Sequence, residues 1–174
     1  RTTGNPAFLY VCQPGTGQGY LSSEPFLVEK EGGFTPNVFL IADAGYSTYA
    51  TTIETMQGTI EERPEVVKCF VEGSIKGWYN YLYGDNAAAN ALIQEANPEM
   101  SSDKIAYAIE KMLENGIVDS GDAETMGIGV ITDEKVADFY AKMVEAGVIE
   151  DTIDPTTAYN TTWVGQGLGM DLKK

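Results

Sequence analysis

Between Pro64 and Gly147, apolar residues fall into helical spacing four times, each run with its own start and stop signals. A chain patterned this way must put much of its length into helices that bury one face. In the first run Val67, Phe70, Val71, Ser74, Ile75, Trp78 and Leu82 share a face. Pro64 suits its opening turn, where a missing N–H leaves nothing unpaired, and Gly84 stops it. Asp85 is placed to cap the second run, Asn86 to Ala96, which Asn97-Pro98 ends. Ser101 or Ser102 caps the third, with Ile105, Ile109, Met112 and Leu113 inward and Asn115-Gly116 as its stop. Thr132 caps the fourth, which turns Val136, Phe139, Tyr140, Met143 and Val144 inward and ends at Gly147. Trp78, Tyr79, Tyr81 and Tyr83 lie on the first helix at packing spacing and read as core and surface aromatics.

Strand signals come earlier and are fewer. Ala7 to Val11 reads as a short strand. Asn37 to Ala42 is an unbroken apolar run between Pro36 and Asp43, the pattern of a strand buried on both faces. Ala50 to Met56, rich in threonine and isoleucine, reads as a further strand and a crossover. A short helix over Glu24 to Lys30, with Pro25 in its first turn and Gly32-Gly33 at its end, lies between the first two. The expected class is therefore a lopsided α/β domain. A sheet of so few short strands is marginal alone, so further strands are expected from elsewhere, most simply from an N-terminal part outside these residues. A start at Arg1 rather than Met fits a removed export signal or a longer precursor.

Charge narrows the partners. The net charge of −15 argues against nucleic acid, which needs a basic footprint, and against an anionic membrane surface. No apolar run approaches the roughly 18–20 residues of a membrane span. The chain has no histidine, which removes Ser-His-Asp and Cys-His catalysis and histidine metal sites together. Carboxylate, lysine and tyrosine chemistry remain. Cys12 and Cys69 read as two separate small apolar residues, with a single disulfide in an oxidising compartment as the alternative; they lie too far apart for a CxxC site.

Other motifs read blandly. Gly15-x-Gly17-x-Gly19 and Gly165-x-Gly167-x-Gly169 lack the Walker lysine and the dinucleotide spacing, so they are turns. Asp119, Asp122 and Glu124 surround Ser120-Gly121 without the full twelve-residue calcium pattern and read as a solvated acidic turn. Asn160-Thr161-Thr162 is a glycosylation sequon, meaningful only in a eukaryotic secreted protein. No metal or cofactor is expected.

Two aromatic, hydroxyl-rich turns stand out: Gly19-Tyr20-Leu21-Ser22-Ser23-Glu24-Pro25-Phe26 and Asp43-Ala44-Gly45-Tyr46-Ser47-Thr48-Tyr49. Tyrosine rings can stack on a flat solute while their hydroxyls reach polar groups. Ser22 or Ser23 suits a helix N-cap, and Glu24 sits favourably at the positive end of a helix. Catalysis by Ser22, Ser23 and Glu24 is a poorer reading, since the turn holds neither histidine nor lysine.

The segment Gln18-Gly19-Tyr20-Leu21-Ser22-Ser23-Glu24-Pro25-Phe26 resembles a "QGYxxSEP" turn of bacterial substrate-binding proteins. These belong to the NMT1/THI5-like, nitrate/sulfonate/taurine-type family serving ABC importers. Residues Phe39 to Tyr49, Glu62 to Val71, Gly77-Trp78-Tyr79, Asn97 to Met100, Gly116 to Ala123 and Gly127-Ile128-Gly129 continue the resemblance in order. It implies a type II periplasmic-binding-protein fold, two α/β lobes closing on a solute in a cleft. Residues 1–42 would then be part of one lobe, 43–56 the crossover or hinge, and 57–174 the helical C-terminal part of the other. It implies binding without turnover, a periplasmic or lipid-anchored location, and a membrane permease as partner, with a missing N-terminal segment or a second chain completing the fold. Tyr20, Tyr46 and Tyr49 would stack on the solute, while Ser23 and Glu24 pair with its polar edge. Glu24 favours a ligand with N–H donors, a pyrimidine-like heteroaromatic, over nitrate or a sulfonate, because an unpaired buried charge is costly. Anion binding of the nitrate/sulfonate/taurine type and a non-catalytic interaction domain are the alternatives. The fungal enzyme of thiamine-pyrimidine synthesis in this family uses a histidine and a cysteine-rich motif, and this chain has neither.

Overall fold

A computed structural model describes residues 17–46 and 48–173. Ala7 to Val11, Cys12 and Ser47 lie outside the described residues. In chain order the helices are α1 (Glu24–Leu27, running on into a π-helical turn Val28–Gly32), α2 (Gln57–Glu62), α3 (Pro64–Tyr83) and α4 (Ala87–Ala96). They are followed by α5 (Ser102–Glu114), α6 (Ala123–Met126) and α7 (Asp133–Glu145). Short 3₁₀ turns occupy Ile41–Ala44, Pro155–Thr157 and Met170–Leu172. The chain divides into two units: Arg1–Phe39 with Asn86–Ile117, and Leu40–Asp85 with Val118–Lys174.

The expected α/β class, and with it the two-lobed periplasmic-binding-protein architecture, is overturned: the described residues are helical and contain no strand. Asn37 to Ala42 was expected to be a strand buried on both faces, yet Phe39 is 88% exposed and Val38 and Ile41 are also exposed. A strand exists only by pairing, and among the described residues no strand lies beside this run. Its end turns instead into the 3₁₀ segment, with the Asp43 N–H donating to the Leu40 carbonyl at 3.1 Å and Gly45 closing the turn. Ala50 to Met56 likewise forms no strand, and α2 starts directly after it.

The second unit is organised by α3. Pro64 and Gly84 bound this helix as expected. Its buried line is Val71, Ile75, Tyr79 and Leu82, with Val67 half-buried. Trp78 and Phe70, placed inward by the sequence, are exposed. The rotation centres on Tyr79, 1% exposed, whose hydroxyl accepts the Ile128 N–H at 3.2 Å. Ala123, Ile128 and Val130 complete this core. The glycine-rich tail closes over it. The Gly167 N–H donates to the Met126 carbonyl at 2.9 Å, and Gly169 lies against the Tyr79 ring. A Cβ on Gly169 would stand 2.8 Å from Tyr79 Cδ2, and its φ of +78° is left-handed, so glycine is required there on both counts. Thr132 caps α7 as expected, its hydroxyl accepting the Lys135 N–H. The inward residues of α7 (Val136, Phe139, Tyr140, Met143 and Val144) are half-buried.

The first unit is built more lightly. Val28 and Ile105 are its fully buried apolar residues among those described. Phe26 of α1 meets Tyr107 of α5 with ring centroids 5.3 Å apart, and Lys30 bonds Asp103 at 2.5 Å. Ile109 and Met112 are half-buried, while Leu113, expected inward, is exposed. The expected serine and aspartate caps differ here. Ser101 and Asn86 occupy the N-cap positions of α5 and α4 without a side-chain cap bond, and the Ser101 hydroxyl donates to Asp103 instead.

Candidate functional site

The turn before α1 is a closed device made from its own residues. The Ser23 and Glu24 N–H groups donate to the Tyr20 carbonyl at 2.9 and 3.2 Å. The Tyr20 N–H donates to Glu24 Oε2 at 2.7 Å. Pro25 follows in the first helical turn, where it sacrifices no hydrogen bond. The Glu24 side chain must fold back under Gly19 to reach the Tyr20 amide. A Cβ on Gly19 would stand 2.6 Å from Glu24 Cγ, so the glycine leaves the space that the carboxylate arm occupies. The serine cap expected at Ser23 is absent; its hydroxyl makes no cap bond, and Glu24 satisfies a main-chain donor instead. Tyr20 stands 75% exposed at the head of this turn, and Ser23 and Glu24 are half-buried.

Tyr46 and Tyr49 belong to the second unit, whereas Tyr20, Ser23 and Glu24 belong to the first. Tyr46 and Tyr49 each touch protein, Tyr46 while still exposed. Tyr46 meets Phe139 edge to face, with centroids 5.6 Å apart. The Tyr49 hydroxyl accepts the Thr132 N–H at 2.9 Å, and the Lys135 ammonium lies 4.5 Å from its ring centroid. This geometry joins Tyr49 to the start of α7, and the Thr132 hydroxyl in turn donates to Asp122 at 3.1 Å.

Two depressions lie elsewhere. One, of about 180 Å³ between α4 and α5, is lined by Asn86, Asn90, Gln94 and Ser102 on its polar side and by Ile105, Ala106 and Ile109 on its apolar side. Asn90 Nδ2 donates to Asn86 Oδ1 and Gln94 Nε2 to the Ser102 hydroxyl, while the buried Asn90 Oδ1 has no hydrogen-bond partner among the described residues. The other is an open groove on α3 lined by Glu65, Lys68, Cys69, Glu72, Gly73 and Lys76. Cys69 is exposed. Neither depression includes the five residues singled out from the sequence.

The acidic turn is not uniformly solvated. Asp119 is 5% exposed and receives hydrogen bonds from the Tyr83 hydroxyl and from Lys173 Nζ, the latter at 2.7 Å. Burial alone would raise the Asp119 carboxyl, but the Lys173 and Tyr83 hydrogen bonds outweigh it and hold the group below its ordinary value. The hydrogen bond to Asp119 raises Lys173 in return. Sequence spacing offered no signal for this trio, because its members come from three distant points of the chain. Among the described residues no group of three histidine, cysteine or acidic side chains is placed to hold a metal ion. No helix among them is long and apolar enough to cross a membrane.

Compared with known families and proteins, the chain matches no family model, no curated protein and no solved structure.

Proposed function

We propose that this chain is the solute-binding component of an ABC importer, holding a small, pyrimidine-like heteroaromatic solute for delivery to a membrane permease. The observation that carries this is the exposed Tyr20 ring on a turn locked by three hydrogen bonds of its own. The main chain that carries the ring is fixed by these bonds, so little backbone freedom remains to be lost when a flat solute arrives. The Ser23 hydroxyl, unused as a helix cap, is available to the solute's polar edge. The collinear resemblance to NMT1/THI5-like binding proteins supports the same role, a periplasmic or lipid-anchored location, and binding without turnover. Binding at this turn does not depend on the two-lobed α/β architecture, which the helical fold overturns.

The test is native mass spectrometry of the purified chain, followed by denaturation. A heteroaromatic compound bound at one per chain and released chemically unchanged is the expected result. A chain that is empty and gains no mass when offered aminopyrimidines such as cytosine contradicts the proposal.

A second reading rests on Tyr46 and Tyr49. Tyr49 is half-buried, bonded to Thr132 and faced by Lys135, and Tyr46, though exposed, rests its ring on Phe139; a non-catalytic interaction domain requires contacts of this kind. Loss of unit stability on substituting Tyr49, with no change in solute binding, would favour it for that turn.

A further inference from the structure

Building on the proposed solute-binding role, we infer that Glu24 is a positioning residue for Tyr20 and not a contact for the solute. The carboxylate oxygen Oε2 is committed to the Tyr20 amide at 2.7 Å. Charge-assisted bonds of this kind are short and about twice as strong as neutral ones. Gly19 belongs to the same device, because any side chain there collides with the arm that brings the carboxylate under the turn. Two of the turn's residues thus serve to fix a third. The residues left to face a solute are neutral: the Tyr20 ring and the Ser23 hydroxyl.

This changes the specificity expected of the turn. A solute-facing carboxylate demands N–H donors and repels anions. A carboxylate turned onto the main chain still disfavours anions but does not demand N–H donors, so recognition here rests on the flat face of the solute and on a hydroxyl-sized polar contact. Neutral heteroaromatics meet both conditions.

The experiment compares wild type with Glu24→Gln, Glu24→Ala and Gly19→Ala in the full chain. Two readouts are taken: hydrogen exchange at the Tyr20 amide and the dissociation constant for cytosine. Glutamine keeps an acceptor oxygen for the Tyr20 amide but carries no charge. The Tyr20 amide is expected to stay protected in wild type and Glu24→Gln, and to exchange about tenfold faster in Glu24→Ala and Gly19→Ala. Cytosine affinity is expected to follow the same order, with Glu24→Gln within about threefold of wild type and the other two weaker by about tenfold. Equal exchange rates in wild type and Glu24→Ala overturn the positioning role. Loss of cytosine binding in Glu24→Gln as severe as in Glu24→Ala, with the Tyr20 amide still protected, makes Glu24 a solute contact and also overturns it. If wild type fails to bind cytosine or any other aminopyrimidine, the solute-binding proposal falls, and the exchange rates alone still decide whether Glu24 holds Tyr20.

Discussion

The two units hold themselves together in different ways. In the second, α3 buries a continuous line from Val71 to Leu82, and a glycine tail packs on Tyr79 so closely that a methyl group would collide. In the first, two apolar residues are fully buried among those described, joined by the half-buried Ile109 and Met112, the Phe26–Tyr107 ring pair and a solvent-facing ion pair. Buried apolar contact stabilises in proportion to the area removed from water, while exposed ion pairs contribute little. Substitutions should therefore cost far more in the second unit. The first is the unit in which a self-bonded turn presents Tyr20.

The sharpest way to break this contrast is at Tyr79. Tyr79→Ala removes the most buried large side chain and orphans the Ile128 N–H, and should cost about 3–5 kcal/mol by denaturant unfolding. A cost below about 1 kcal/mol would mean that α3 is not the organising element. Gly169→Ala comes next. Strained backbone and a 2.8 Å contact together should cost about 2–3 kcal/mol, and the smaller Tyr79→Leu ring replacement should recover part of that loss in the double variant.

The Asp119 trio gives a smaller effect with a defined pH window. A carboxyl held low in the folded state contributes stability that is present above its unfolded value, near pH 4, and lost as pH falls through the folded value. Lys173 is raised, so its contribution is present below its unfolded value, near pH 10, and lost as pH rises through the folded one. Unfolding free energy should therefore run flat between about pH 5 and 9 on account of this trio and fall outside it. Asp119→Asn should weaken the acid fall and cost about 1–3 kcal/mol at pH 7, measured by urea titration. An unchanged acid limb would show that another carboxylate sets it.

The smallest effect belongs to the first unit. Lys30 holds the Asp103 carboxyl down, with help from the Ser101 hydroxyl, to about 2. Both partners are half-exposed, so solvent and salt screen the pair. Lys30→Met should leave the melting temperature unchanged within error and abolish only its slight salt dependence. A drop comparable to that of Gly169→Ala would erase the distinction between the units.

What could be read from the sequence was what is decided locally. The bounds of α3 follow from Pro64 and Gly84, and Thr132 caps α7, because each signal acts within one helical turn. Which face of α3 turns inward was read a residue off, at Trp78 instead of Tyr79. The choice is made by Gly169 and Ile128, far away in the chain. Val38 to Ile41 has every mark of a strand, but a strand needs a neighbour, and apolar content cannot provide one. Asp119 looked solvated because Tyr83 and Lys173 are remote in sequence. At the candidate site, the Gly19–Pro25 turn was legible as a turn, whereas the exposure of Tyr20 on it was not. The bond from Glu24 back to the Tyr20 amide was hidden, since a glutamate at a helix start reads equally well as a charge for the dipole.

The most direct test of solute binding at the Tyr20 turn is a cytosine titration of the ¹⁵N-labelled full chain, followed by two-dimensional NMR in wild type and Tyr20→Ala. The account predicts saturable shifts at the amides of Tyr20 to Glu24, and their disappearance in Tyr20→Ala while the signals of the Tyr79 core stay in place. Shifts that survive in Tyr20→Ala, or that gather at Tyr46 and Tyr49 with none at the Tyr20 turn, would contradict it.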